Sequence, residues 1–211
     1  MTARERPAQG PPPATLQGFP AYELLASTDL YRAHQVDLGP WWFGSDRAGR
    51  FDLGPPDGTC YTALDALSAL RERVGPVLGG ANAVPESLLS EVVVSRLRLP
   101  EPRSVANCQD RAAGDFGVTR ELETMVPYAV PQQWAQAFRS AGLAGVRYGP
   151  RFTPGECSAV ALFDEQGSRP WPADPDPVPA RAVPGAPALV PTPRRADLTV
   201  VRPPRTRVTK A

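Results

Sequence analysis

Proline placement sets the tightest limit on what this chain can fold into. The sequence has 211 residues, and 16 of its 27 prolines fall in residues 1–20 and 168–211, less than a third of the chain. Each proline fixes φ near about −65° and lacks a backbone donor, so a dense run of them cannot build helix interiors or central strands. The fold is therefore expected in one central domain, residues 22–167, which is long enough to bury a substantial core. Residues 1–21, rich in Pro, Gly and Gln, show no apolar period and are expected to be a disordered lead. Residues 168–211 are expected to form a disordered, Pro-rich tail. Near its end Arg194, Arg195, Arg202, Arg205, Arg207 and Lys210 oppose only Asp197.

Composition excludes several functional classes. A net charge of +1 and a pI near 7.7 give no global field that would draw the protein to nucleic acid or to an anionic membrane. No apolar run approaches the roughly 20 residues of a membrane span, and the start MTARERPAQGPPPA lacks a signal-peptide core. A cytoplasmic protein without membrane attachment is expected. Cys60, Cys108 and Cys157 are odd in number and without CxxC spacing, which argues against a disulfide framework or a zinc knuckle. His34 is the lone histidine, so no His-based metal site is expected.

Within the central stretch, residues 22–26 read as an apolar helical turn and residues 29–36 as a strand carrying Tyr31, Arg32 and His34. Residues 39–58 form a glycine-punctuated loop that nevertheless holds Trp41, Trp42, Phe43, Arg50 and Phe51; such loops are usually functional or tightly packed. Leu67, Leu70 and Val74 then fall at helical spacing, with Asp65 as N-cap and Gly75-Pro76 as the stop. Residues 91–99 read as a strand, and residues 119–125 as a brief helix capped by Thr119. A longer helix is expected over 131–141, where Trp134 and Phe138 stand four apart and belong to the core. Strands at 145–151 and 158–164 complete an α+β pattern. On chemistry alone Arg32 and Arg50 could pair with Asp46 or Asp52, and Glu72 could be a solvated helix residue.

The ordered set of short motifs over residues 22–167 resembles the RES domain family, the toxin halves of a class of bacterial toxin–antitoxin pairs. The matching pieces are Leu30-Tyr31-Arg32-Ala33, Gly49-Arg50-Phe51, Gly58-Thr59-Cys60-Tyr61-Thr62-Ala63 and Ala69-Leu70-Arg71-Glu72. Gly117-Val118-Thr119 follows, then Tyr128, Gln133-Trp134-Ala135, Gly145-Val146-Arg147-Tyr148 and Ala161-Leu162-Phe163. The resemblance implies a fold similar to the ADP-ribosyltransferases, with a mixed sheet flanked by helices and split around an NAD cleft. It places the family's arginines on Arg32 and Arg50, its tyrosine on Tyr61 and its glutamate on Glu72. Glu72, Arg32 and Tyr61 are then the expected catalytic residues, and Arg32, Arg50, Tyr61 and Tyr148 the expected NAD contacts. The family's serine falls on Pro150, which has neither a hydroxyl nor a backbone N–H.

The implied activity is cleavage of the nicotinamide–ribose bond of NAD by hydrolysis or phosphorolysis, with NAD as substrate, no cofactor and no metal. An Xre-type antitoxin, phosphate and a second copy of the chain are the implied partners. The chemistry agrees with those residue types: a guanidinium fork suits a pyrophosphate, and a carboxylate facing an oxocarbenium-like ribose stabilises the transition state over the ground state. Two alternatives use the same residues: transfer of ADP-ribose to a macromolecule, or a catalytically degenerate relative that binds NAD or a partner.

Overall fold

The computed structural model describes residues 9–78 and 82–192. In chain order the strands are β1 (Ala21–Leu24), β2 (Leu30–Gln35), β3 (Trp42–Phe43), β4 (Asp57–Ala63), β5 (Ala83–Pro85) and β6 (Val92–Leu97). They continue with β7 (Arg103–Asn107), β8 (Gly145–Tyr148), β9 (Ala159–Glu165), β10 (Gly167–Ser168), β11 (Val178–Pro179) and β12 (Ala188–Val190). The helices are α1 (Ala66–Val74), α2 (Glu86–Leu89) and α3 (Ala129–Ser140). Eight strands form one sheet in the order β1-β7-β8-β9-β4-β2-β6-β11. Its β7–β8 pair is parallel, and the neighbours on either side pair antiparallel, so the sheet is mixed as expected.

Alternation along β4 and β9 explains why the sheet centre is buried on both faces. Ala159, Ala161 and Phe163 point to a cluster built with Trp134 and Phe138 of α3, while Val160 and Leu162 join Cys60, Phe43 and Trp41 on the other side. A third cluster packs Leu70 and Val74 of α1 against Val92 and Val94 of β6. Burying Leu70 and Val74 fixes the rotation of α1 and leaves Glu72, two and two residues away, on an accessible flank. As expected, Asp65 caps α1, accepting from the Ser68 N–H at 2.7 Å.

The sheet opens at one seam. Strand β2 pairs with β6 along its whole length, from Leu30↔Leu97 to Gln35↔Val92, yet meets β4 only at Tyr31↔Ala63. Beyond that pair β2 and β4 diverge, and α1 covers the gap.

Several local expectations need correction. Residues 21–24 are the edge strand β1 rather than a helical turn, because Tyr22 and Leu24 face inward while Ala21 and Glu23 face out, a period of two. Strand β7 was not foreseen after the Pro100–Pro102 breaks, although Val105 and Ala106 are fully buried. The loop over 39–58 contains β3, which pairs with β10.

The domain boundaries also move outward on both sides. The Gln9 side chain is buried and accepts from Thr119 N at 2.8 Å, while the Gly10 carbonyl accepts from Trp134 Nε1 at 2.9 Å. Phe19 packs 4.8 Å from Phe138, ring centre to ring centre. Past Gly167, Trp171 sits edge-on to Trp41 and Phe43, and Trp41 Nε1 donates to the Pro172 carbonyl at 3.0 Å. Strand β11 extends the sheet beside β6, and Ala180 and Val183 enter the α1 cluster. Prolines are tolerated here because an edge strand needs few donors, and the sparse apolar anchors carry no period a sequence reading could detect. Residues 9–20 and 168–192 thus belong to the packed domain; the basic run from Arg194 to Lys210 lies outside the described residues.

Candidate active site

A cavity of about 310 Å³ occupies the seam between β2 and β4, and its lining includes all five residues singled out by motif: Arg32, Arg50, Tyr61, Glu72 and Tyr148. Arg32 comes from β2, Tyr61 from β4, Glu72 from α1 and Tyr148 from the end of β8. Arg50 arrives on the loop before β4. The seam brings together residues as far apart in sequence as Arg32 and Tyr148.

Arg50 is the most exceptional of them. Its side chain is buried, only 8% exposed, and its Nε finds no acceptor among the described residues. The guanidinium lies 5.4 Å from the centre of the Tyr128 ring. Asp52 does not neutralise it: that carboxylate accepts from the Gly49 N–H at 2.7 Å and from the Tyr61 hydroxyl at 2.7 Å. Asp46 accepts instead from the Ala48 N–H. The alternative of an arginine merely paired with Asp46 or Asp52 is therefore set aside for Arg50. A buried guanidinium with an open donor is costly unless an anion completes it.

Arg32 has a divided task. Its Nη1 lies 2.9 Å from each of the Pro40 carbonyl, the Trp42 carbonyl and Cys60 Sγ, so it ties the loop before β3 to the sheet. Its Nε and Nη2 make no hydrogen bond among the described residues. Burial pushes the Cys60 thiol up, and Arg32 opposes that shift without removing it. The thiol is thus a neutral packing partner rather than a nucleophile.

The Tyr61 hydroxyl is committed inside the protein, donating to Asp52 Oδ1 and accepting from the Phe51 N–H at 2.8 Å. Burial, then the charge of Asp52, holds its pKa well above the usual phenol range. Only the ring remains to face a ligand. Gly49 explains why the motif starts with glycine: a Cβ there would overlap the Tyr61 hydroxyl and lie 2.5 Å from Asp52 Oδ1. Tyr148 is almost fully buried, its ring 5.0 Å from Phe51, and burial with the charge of Glu72 drives its pKa upward.

Glu72 is held by the loop after β8. Its Oε1 accepts from the Phe152 N–H at 2.6 Å, Arg71 Nε donates to the Phe152 carbonyl at 2.8 Å, and the Phe152 ring fills the space a Cβ on Gly75 would occupy. Burial pushes the Glu72 carboxyl above the ordinary carboxylate range, while the Phe152 and Arg151 backbone bonds and the Arg50 charge restrain the shift. The motifs did not point to Arg73 and Phe152, which also line the cavity, and gave no site role to Tyr128, which does as well. Arg73 was legible as the neighbour of Glu72, whereas Phe152 reaches the site only through the return of a distant loop.

Pro150 is elsewhere. It is buried against a separate hollow lined by Gln109, Arg120 and Glu123, and is not among the residues lining the Glu72 cavity. His34 is internally satisfied: the Gln35 carbonyl 2.8 Å from Nδ1 can only accept, so Nδ1 carries the proton and the Ser95 hydroxyl donates to Nε2. Among the described residues no group of three or more His, Cys, Asp or Glu is placed to hold a metal ion, and no helix is long and apolar enough to cross a membrane.

The fold and cavity define an α+β protein whose split mixed sheet sets arginines and one carboxylate around a pocket suited to an anionic ligand. A sequence profile of the RES domain matches residues 29–184, and the chain belongs to the RES domain family. Comparison with curated proteins returns no match. The fold is similar to that of a chain in the crystal structure of the M. tuberculosis MbcT–MbcA toxin–antitoxin complex, with TM-score 0.56 and 16% identity. That similarity covers 72% of this chain and 82% of the other. It bears out the expected ADP-ribosyltransferase-like α+β architecture.

Proposed function

We propose that this RES-domain protein consumes NAD by cleaving the bond between nicotinamide and ribose, with water or phosphate as acceptor. The observation that carries the reading is the buried Arg50 guanidinium, paired with neither Asp46 nor Asp52, in the same cavity as Glu72. A dinucleotide supplies what each lacks: a pyrophosphate for Arg50 and Arg32, and a ribose that gains positive charge as nicotinamide leaves for Glu72. Arginine's planar fork grips phosphate oxygens through paired hydrogen bonds. The Glu72 carboxylate, oriented by the Phe152 N–H, acts where charge develops and so lowers the barrier rather than merely tightening substrate binding. The Tyr61 and Tyr148 rings offer apolar walls to the nicotinamide.

The chain sharing this fold comes from a toxin–antitoxin complex, and by that likeness we assign the protein to the toxin side of such a pair, with an antitoxin as its partner. Incubating the purified protein with NAD and following nicotinamide tests the activity. Release is expected with no macromolecular acceptor present, and Glu72→Gln should lower kcat by at least about a hundredfold with little change in NAD affinity. Undiminished turnover by that variant would remove Glu72 from the chemistry. Release that requires a protein or nucleic-acid acceptor would make the enzyme a transferase.

A further inference from the structure

A second groove adjoins the cavity. It has about the same volume, 310 Å³, and Arg32, Ala33 and Arg73 line both. We propose that this groove seats the purine nucleoside half of a dinucleotide whose other half lies at Glu72, with Arg73 joining Arg32 on the pyrophosphate between them. The inference rests on the NAD reading of the cavity and extends it to residues outside the RES motifs.

Size is the first argument. Pockets that enclose drug-sized ligands run from about 300 to 1,000 Å³. The Glu72 cavity lies at the bottom of that range, adequate for a mononucleotide and too small for two nucleosides joined by a pyrophosphate. The second half of such a ligand must leave the cavity, and the groove is the space that shares Arg32, Ala33 and Arg73 with it.

Chemistry is the second argument. The groove is lined mainly by apolar surface, with Leu38 and Trp42 exposed along it and Trp41 and His34 buried beside them. Trp42 is 54% exposed and Leu38 55% exposed, so both offer apolar surface to a ligand in the groove. An indole face is a good stacking surface for a base, because every base offers a π-face. His34 adds no cationic charge, since its ring nitrogens are taken by Gln35 and Ser95 and burial lowers its pKa.

Charge is the third. Arg73 is exposed on α1 and forms no ion pair among the described residues, and Arg32 keeps Nε and Nη2 free of protein acceptors. Two incompletely paired guanidiniums at the junction match the position a pyrophosphate must take between two nucleosides. Arg32 also fixes the groove wall, since its Nη1 holds the Pro40 and Trp42 carbonyls. One side chain thereby couples phosphate binding to the placement of Trp42.

The test uses the full chain, with Trp42→Ala and Arg73→Ala, and two substrates: NAD and nicotinamide mononucleotide, which lacks the adenosine half. Trp42→Ala should reduce the preference for NAD over the mononucleotide, taken as the ratio of kcat/KM values, by about ten- to a hundredfold. Arg73→Ala should weaken NAD binding in a salt-dependent way. AMP binding, followed by quenching of tryptophan fluorescence and by calorimetry, supplies a readout independent of turnover. Wild type should bind AMP, and Trp42→Ala should weaken that binding at least tenfold. An unchanged substrate preference, or AMP binding that is absent or indifferent to Trp42, overturns the subsite. Failure of wild type to release nicotinamide from either substrate overturns the NAD reading instead.

Discussion

Gly49→Ala adds one methyl group at the tightest point of the site, and its cost can be worked out from the contacts there. The new Cβ would lie 2.5 Å from Asp52 Oδ1, 2.8 Å from Tyr61 Cε2 and closer still to the Tyr61 hydroxyl. Ordinary contacts begin near 3.4 Å, so one neighbour must give by most of an ångström. Neither is free to do so. The Tyr61 hydroxyl is fixed by the Asp52 carboxylate and the Phe51 N–H, and Asp52 also holds the Gly49 N–H. Overpacking typically costs about 1–3 kcal/mol, and a lost hydrogen bond to a charged group about 1.5–3 kcal/mol. The two are alternatives in part, since breaking the bond relieves the overlap, and alanine recovers about 0.4–1 kcal/mol through the unfolded chain. A net loss of about 2–3 kcal/mol follows, which in a domain of this size lowers Tm by about 5–10 °C. Because Arg50 follows Gly49 directly, nicotinamide release should fall with stability. Urea unfolding monitored by tryptophan fluorescence measures the first effect, and the nicotinamide assay the second. In a Tyr61→Phe background the hydroxyl is gone, and the added cost of Gly49→Ala should shrink by about 1 kcal/mol or more. A loss below about 0.5 kcal/mol in the wild-type background, or an identical loss in both, would refute the packing argument.

A chain ending at Gly167 should be destabilised by about 3–5 kcal/mol or fail to fold, because it loses the Trp171 packing on Trp41 and Phe43 and the buried Ala180 and Val183; a thermal midpoint equal to that of the full chain would return residues 168–192 to the status of a tail. Burial raises the Glu72 carboxyl, so its protonated form persists to higher pH than in an ordinary glutamate, and the catalytic anion is lost earlier as pH falls. The acid limb of kcat should accordingly lie above the roughly 4.3 of an unperturbed glutamate, and a limb at or below that value would show that Glu72 does not govern the rate.

What could be read from the sequence was local. The Asp65 cap and the Leu67, Leu70 and Val74 spacing specify α1 because a cap and an apolar stripe are properties of neighbouring residues. Trp134 and Phe138 fix the buried face of α3 in the same way. The motifs around Arg32, Arg50, Tyr61, Glu72 and Tyr148 were legible as an ordered set, and the structure places all five in one cavity. Their partners were not legible. Nothing in the chain's order says that the Tyr61 hydroxyl is spent on Asp52, that Phe152 reaches back 80 residues to orient Glu72, or that Pro150 faces a different hollow. Those facts depend on which loop returns to which strand.

The proline-rich ends show the same division from the other side. Local physics excludes Pro179 from a sheet interior, and the structure obeys by using it at the edge, beside β6. Local physics could not say that Trp171 would find Trp41, or that Gln9 would close over Thr119, since each contact joins residues more than 100 positions apart. By itself the sequence determined helices α1 and α3, strands β2, β6, β8 and β9 and the residue types of the site, but not β4 at the middle of the sheet or β7 beside β8. Tertiary structure decided where the domain ends and how the site is completed, because a single long-range contact leaves no period or spacing in the chain, and its free energy exists only once both partners are held by the rest of the fold.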